Sequence, residues 1–283
     1  MKKIVAITLA VIMLVMTFAF AGCGDKKAEP KLMMLEEPYS SEQYGIGFKK
    51  GNTELRDAVQ AAVYKLFADG KVAEVAAKYA DFNLDQMICL DSANATTFDV
   101  ANASAEFKAR KTFTVGFDAE YPPYGYMDDS GKDYTGFDLD LAALVCEIYG
   151  WELVKKPIIW DAKDTALDSG EIDVIWNGFT MTGRESEYEW TDAYIDNSIV
   201  IVVLDDSGIK TTADLKDKVV ETQTDSSAQA ALDEDTALTE TFKEYKLVKD
   251  YNTAIMDLKT GAADAVVIDI GVAQYQIANN TAK

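Results

Sequence analysis

Arg184 follows the run Asn177-Gly178-Phe179-Thr180-Met181-Thr182-Gly183. Of the arginines in the body of the chain (Arg56, Arg110 and Arg184), it alone lies just beyond a strand end. A guanidinium there can hold a carboxylate through two parallel hydrogen bonds; a solvated arginine among Glu185, Glu187 and Glu189 is the plain alternative. Ser226 and Ser227 open a helix after the strand 219–222. Their hydroxyls and the free N–H groups of a helix start form either a second anion site or no more than a cap. Asp269 ends a buried strand, where a carboxylate is costly unless paired. A ligand ammonium would serve as partner, and so would a structural lysine or backbone amides. Aromatic rings cluster beside acids in Asp118-Ala-Glu-Tyr121-Pro-Pro-Tyr124-Gly-Tyr126, and Trp160 adds another ring ahead of a helix. Aromatic faces can enclose a ligand side chain and favour cations, although each ring alone also suits plain packing. Together these groups offer an anion site, a cation site and an aromatic slot, a set that fits the zwitterion of an α-amino acid. Neither a nucleophile–base pair nor a metal cluster accompanies them, so the expected chemistry is binding without catalysis, cofactor or metal.

Composition narrows the choices further. The 283 residues contain no histidine, which removes Ser-His-Asp catalysis, His-ligated zinc and imidazole proton relays. Three cysteines, Cys23, Cys89 and Cys146, are too few for a four-thiolate zinc site or a disulfide framework. With 27 basic and 48 acidic residues the net charge is -21, which disfavours nucleic acid as a partner.

The elements that must position the site read as α/β. A strand at 32–35 and another at 44–48 precede a helix whose Leu55, Val59, Ala62, Val63, Leu66 and Phe67 fall at helical spacing. Residues 83–111 are small, polar and weakly periodic, as in a connector. From the strand 112–117 onward, strands and helices alternate, the signature of a mainly parallel sheet. Leu167-x-Ser-Gly-x-x-Asp173 and Leu258-x-Thr-Gly-x-x-Asp264 repeat one pattern at a spacing of 91 residues. Each is a helix end, a glycine stop and an acid before a buried strand, so two halves of similar build are expected. Chance recurrence of helix–Gly–strand turns is the alternative. Ligands of open parallel sheets sit at the carboxyl ends of the strands. Gly178 and Asp269 lie there, one in each half.

The N-terminus reads as an address. Met1-Lys2-Lys3 and the apolar run 4–21 form a signal peptide over 1–22. A membrane-spanning anchor is the alternative. Ala21-Gly22-Cys23 resembles the lipobox of bacterial lipoproteins, with Phe20 where that motif prefers leucine. Cys23 is then the lipidated residue and 23–31 a polar tether. Without Lys2 and Lys3 the chain has 25 basic and 48 acidic residues, a charge of -23.

The stretches FTVGFDAEYPPYGYMDDSGKDYTGFDLDLAALVCEIYGWEL, GEIDVIWNGFTMTGR, IKTTADL, TQTDSSAQAAL and TGAADAVVIDIGVAQYQIANN cover most of 112–280. In them the chain resembles the extracytoplasmic solute-binding proteins, family 3, that deliver polar amino acids to ABC transporters. The resemblance implies a two-lobed, type II periplasmic-binding-protein-like fold that closes over one free amino acid. Its expected setting is outside the cell, as a monomer lipid-anchored to the membrane and docking on a transporter permease. The Gly178 carbonyl, the Thr180 hydroxyl and Asp269 would take the ligand ammonium. Arg184, the Thr180 N–H, Ser226 and Ser227 would take its carboxylate. Tyr121 and Trp160 would flank the side chain, and Asp118, Asp138 and Asn177 would meet its polar end. The acids lean towards a cationic or amide side chain, with cystine also open. A cyclohexadienyl or arogenate dehydratase-like enzyme on the same fold, or the ligand-sensing subunit of a receptor, is the alternative function.

Three departures stand out. The arginine lies one residue closer to the threonine than the family often has it. Asp225 precedes the serines where glycine is common, and would cap the helix itself and weaken the anion site. The segment KLMMLEEPYSSEQYGIGFKKGNTELRDAVQAAVYKLFADGKVAEVAAKY, which ends the chain in the family, stands here at 31–79. The order is that of a circular permutation, with 43–200 as lobe 1 (80–111 its connector) and 32–42 plus 201–283 as lobe 2. A Cys89–Cys146 disulfide is left open. Replacing the lipidated residue tests the anchor: a Cys23→Ala protein is expected in the soluble fraction, and one that stays with the membrane contradicts the reading.

Overall fold

The computed structural model describes residues 30–95, 100–102 and 105–281; the leader, Cys23 and the tether up to 29 lie outside the described residues. Three short strands come first, β1 (Leu32–Met34), β2 (Ser40–Tyr44) and β3 (Gly47–Phe48). The helices Thr53–Ala68 and Lys71–Ala77 follow. The apolar spacing of the first helix puts Leu55, Val59, Ala62, Val63 and Leu66 into the core. Next are β4 (Thr112–Phe117), β5 (Glu120–Tyr121), β6 (Gly125–Met127), β7 (Tyr134–Thr135) and β8 (Glu152–Pro157). The chain then supplies β9 (Val174–Ile175), β10 (Glu189–Trp190), β11 (Ile195–Leu204), β12 (Val219–Gln223), β13 (Glu244–Val248) and β14 (Ala265–Asp269).

These strands form two principal sheets. One is five-stranded, in the order β10-β3-β9-β4-β8; the other has β1-β11-β14-β12-β13, with β2 also paired to β11. The repeated sequence pattern has a physical meaning here. In both copies a helix stops at a left-handed glycine, Gly170 (φ 77°) or Gly261 (φ 79°), and the acid ties the next strand to its parallel neighbour. Asp173 N donates to Thr114 O (2.9 Å) and its carboxylate accepts Thr114 N (2.7 Å). Asp264 N donates to Val219 O (2.8 Å) and its carboxylate accepts Val219 N (2.8 Å). One device thus sets the register beside β9 in one half and beside β14 in the other.

Several expectations need correction. The run 44–48 is not one strand: β2 belongs to the six-stranded sheet and β3 to the five-stranded one, and Gly45-Ile46 crosses between them. The expected lobe boundaries at 42/43 and 200/201 both fall inside paired strands. β2 pairs with β11 from Tyr44↔Ile195 to Ser40↔Ile199, and β11 runs unbroken from 195 to 204. The sheets part instead at 45–46 and at 191–194, where Ile46 N meets Thr191 Oγ1 (2.9 Å) and Tyr194 N meets Tyr44 O (3.0 Å). A sequence pattern marks alternation but cannot mark which sheet a strand joins.

The segment 80–111 also does more than join two ends. Phe82 packs on Tyr275 of the helix Ile270–Thr281, and Ile88 makes an antiparallel bridge to Ile195. Trp151 Nε1 donates to Phe107 O (2.8 Å), and Arg110 pairs with Asp173 (2.6 Å). It therefore touches both halves beside the crossing strands. Cys89 and Cys146 are free thiols, the second buried.

Candidate functional site

The crossing strands bring the carboxyl ends of the two sheets face to face. A small pocket lies between them, lined by Tyr121, Trp160, Gly178, Thr180, Arg184, Gln223, Ser226, Ser227 and Asp269. Eight of these nine are residues expected from the sequence; Gln223 is the addition.

Backbone geometry sets the floor. Gly178 has φ 55°, and a Cβ there would stand 2.9 Å from Tyr121 Cε1 and 3.0 Å from Tyr44 Cε2, so only glycine fits. Thr180 bridges to Tyr44, and a tight turn closed by Arg184 N→Met181 O (2.9 Å) returns the arginine to the pocket edge. The Arg184 guanidinium points at the carbonyls of Thr180 (3.4 Å) and Asp225 (3.3 Å) and lies over the Phe179 ring. The short loop therefore still delivers the cation to the site.

On the opposite wall, Ser226 caps the helix Ser227–Glu234. Its Oγ accepts from Gln229 N (3.0 Å) and donates to Gln223 O (2.7 Å). Asp225 does not cap that helix, contrary to expectation. It adopts a left-handed conformation (φ 61°), and its carboxylate forms an ion pair with Lys163, which is 1% exposed. The Asp225 carbonyl accepts from Trp160 Nε1 (3.1 Å) as well as from Arg184. The charge that seemed to threaten the anion site is thus neutralised from the other half, and the same contact joins the two walls.

Asp269 occupies the pocket end of β14, 2% exposed. Its Oδ1 accepts from Tyr44 OH (2.6 Å) and Asn197 Nδ2 (2.8 Å). Burial raises its carboxyl above the ordinary carboxylate range, and the hydrogen bonds from these neighbours oppose the rise. Among the described residues no lysine or arginine pairs with it.

Asp118, Asp138 and Asn177 do not line the pocket. Asp118 is buried and its carboxylate is already held, by Glu120 N (2.9 Å) and across the cleft by Gln223 Nε2 (2.6 Å); burial pushes it up to about 6. Asn177 Oδ1 accepts from Asp118 N (2.9 Å), which engages the amide oxygen with the backbone. Asp138, in the first turn of the helix Phe137–Tyr149, is 0% exposed and faces inward. It accepts from Gly178 N (2.6 Å) and Tyr194 OH (2.8 Å), so it shapes the Gly178 turn from behind. The family resemblance places an acid near the site without showing that its helix turns it into the core.

Sequence reasoning missed Glu42, Gln223 and Lys163. Glu42 lies in a short, mostly polar strand (SSEQY) that reads as a solvated edge. Its hydrogen bonds are to Thr180, Asn197 and Ser227, all more than a hundred residues away. Lys163 reads as a surface lysine at a helix start. Only the acid at 225, in a position where glycine was expected, signalled a need for a partner.

Known proteins are similar to this chain in sequence and fold. The profile of the bacterial extracellular solute-binding proteins, family 3, fits residues 113–262. The L-cystine-binding protein TcyJ of Escherichia coli (strain K12) is 31% identical over 165 residues, 57% of this chain and 60% of that protein. The chain therefore spans three-fifths of that relative's length. A probable histidine-binding protein of Campylobacter jejuni is 30% identical over 181 residues, 63% of this chain and 68% of that one. Among solved structures, an ABC uptake transporter substrate-binding protein from Streptococcus pneumoniae with bound histidine has a TM-score of 0.59 at 34% identity. It covers 62% of this chain and 72% of that one.

Asp138 generates a test. Its desolvated carboxyl is raised from 3.8 to about 7 in the folded chain, so the folded state binds more protons between those values. This contribution to stability is full below the unfolded value and disappears as pH rises through the folded one. Asp138→Asn is expected to lower Tm, because the amide nitrogen cannot accept a buried N–H or O–H, at about 1–3 kcal/mol per donor left unpaired. It is also expected to flatten the loss of stability between about pH 5 and pH 8. Thermal melts across that range with an unchanged slope contradict this role.

Proposed function

Because the chain belongs to the bacterial extracellular solute-binding proteins, family 3, we propose that it binds a polar α-amino acid outside the cell and delivers it to an ABC importer. The observation that carries the reading is one pocket between two walls, with Arg184 and the Ser227 helix start at one end and a cation-free Asp269 at another. In this reading the ligand carboxylate lies on Arg184, the Thr180 N–H and the serines. Its ammonium lies on Asp269, the Thr180 hydroxyl and the Gly178 carbonyl. Trp160 and Tyr121 enclose the side chain. Gln223, backed by Asp118, lines the far end with groups that suit a cationic or amide side chain, or the polar ends of cystine. Relatives named for cystine and histidine binding support an amino acid as the class of ligand. The grouping is one for capture and release, and we read the chain as a binding protein rather than an enzyme.

We further propose that the chain is a circularly permuted type II binding protein, working as a monomer tethered through Cys23. Support comes from the placement of residues 32–79 within both sheets. β3 pairs with β9 and β10, and Tyr149 OH donates to Ala58 O (2.7 Å), joining the helix Thr53–Ala68 to the helix Phe137–Tyr149. The point of rearrangement is also closed in space: Asn280 Nδ2 donates to Pro30 O at 2.7 Å. Among the described residues no helix is long and apolar enough to cross a membrane, which agrees with attachment through the N-terminus.

Two measurements check these readings. A thermal-shift screen of the twenty amino acids, cystine and ornithine is expected to show stabilisation by at least one of them, since ligand binding shifts unfolding by mass action. Arg184→Ala is expected to weaken every such ligand by about 2–5 kcal/mol, the cost of leaving a desolvated carboxylate unpaired. No shift with any compound contradicts the function. Second, a chain reordered as 112–283 followed by 30–79 is expected to fold and to bind the same ligands within a few-fold. Failure to fold contradicts the permutation.

A further inference from the structure

Glu42 sits within β2, 9% exposed, on the strand that crosses between the sheets. Its Oε1 accepts from Thr180 Oγ1 (2.7 Å), Asn197 Nδ2 (2.7 Å) and Ser227 Oγ (3.2 Å). Thr180 and Ser227 line the pocket, so this carboxyl holds two of its hydroxyl groups from behind. Asn197 Nδ2 is shared with Asp269 Oδ1 (2.8 Å), so one amide nitrogen joins the Glu42 and Asp269 carboxyl groups. Two buried carboxyl groups therefore lie together beneath the pocket.

Their surroundings hold no opposite charge. From β14 comes Asp269 itself; Tyr44 lies on the same strand as Glu42. Tyr121 and Tyr124 approach from the turn after β4, and Tyr251 from the helix Tyr251–Thr260. Asn197, Thr180 and Ser227 complete the ring as neutral donors. Among the described residues neither acid has an ion-pair partner, and Arg184 is turned to the carbonyls of Thr180 and Asp225. Two like charges this close and out of water cannot both persist without a cation, so one proton stays with the pair. Burial first, and the Asp269 charge second, raise the Glu42 carboxyl accordingly.

We propose that Glu42 is a positioning residue of the ammonium subsite, sharing one proton with Asp269 in the empty pocket and releasing it to solvent when a ligand ammonium arrives. The inference rests on the amino-acid reading above. The charge balances: two carboxylates with one proton before binding, two carboxylates with one ammonium after it. Discharge of the proton also leaves Glu42 a full acceptor for the Thr180 and Ser227 hydroxyls, fixing their lone pairs towards the ammonium. Binding is therefore expected to tighten as pH rises through neutrality, by up to about tenfold per pH unit.

Calorimetric titration of the full chain tests this. The probes are the twenty amino acids, cystine and ornithine, leaving out histidine and cysteine, whose side chains exchange protons near neutrality. Each probe that binds is titrated in two buffers of different protonation enthalpy. Release approaching one proton per ligand is expected for the unaltered chain, with little or none for Glu42→Gln and recovery in Glu42→Asp. Binding without proton release, or release undiminished in Glu42→Gln, overturns the inference and leaves the amino-acid reading in place. No binding by any probe overturns both. Should Glu42→Gln fail to fold, carboxyl-carbon NMR of the unaltered empty protein decides. A Glu42 signal titrating well above the ordinary carboxylate range supports the shared proton, and one titrating within that range overturns it.

Discussion

A carboxylate buried with no cation partner among the described residues organises this molecule. Asp269 ends the central β14 beneath the pocket, and the fold surrounds it with a phenol, an amide and another acid. Such a group is tolerable only if neighbouring donors are held in place and its charge is met by a proton or a cation. Both needs are met where β2 and β11 cross between the sheets, because those two strands supply Tyr44, Glu42 and Asn197 together. The crossing is therefore part of the site as well as the link between its walls. In the proposed function a ligand ammonium completes the charge balance at Asp269, and Arg184 offers the complementary charge for the other end of a zwitterion.

The walls are joined by polar contacts that bypass the ligand. Asp225 carries an ion pair to Lys163 and a carbonyl to Trp160 and Arg184, while Gln223 reaches Asp118. These contacts link the two halves around the pocket. They also explain why an acid is acceptable at 225, beside a helix start intended for an anion: Lys163 removes its charge locally, and the left-handed backbone turns it away from the cap.

How much was legible in the sequence follows from the range of each signal. The helix–Gly–Asp–strand repeat is local, so it pointed to both strand ends and, through them, Gly178, Arg184 and Asp269, with Thr180 added by the family resemblance. Ser226 and Ser227 follow from helix-start chemistry, and the rings of Tyr121 and Trp160 from their place after strands. Asp138 and Asn177 carry the right chemistry at nearby positions, but the Asn177 oxygen turns to the Asp118 N–H and the Asp138 carboxyl to the Gly178 N–H, the latter decided only by the packing of the helix Phe137–Tyr149. Glu42 is the opposite case. Its strand reads as solvated, and its meaning comes entirely from residues on other elements brought together by a crossing that alternation alone cannot reveal. The proposed permutation was legible because it involves whole stretches rather than single positions.

The account's central claim is the orientation of a zwitterion between Arg184 and Asp269. The most direct measurement is a crystal structure of the chain with the amino acid it binds most tightly. It should show the ligand carboxylate on Arg184 and the Ser227 helix start, with the ammonium nitrogen at hydrogen-bond distance, about 2.7–3.2 Å, from Asp269. A ligand bound in the reverse sense, or outside this pocket with Asp269 still held only by the protein, would contradict it.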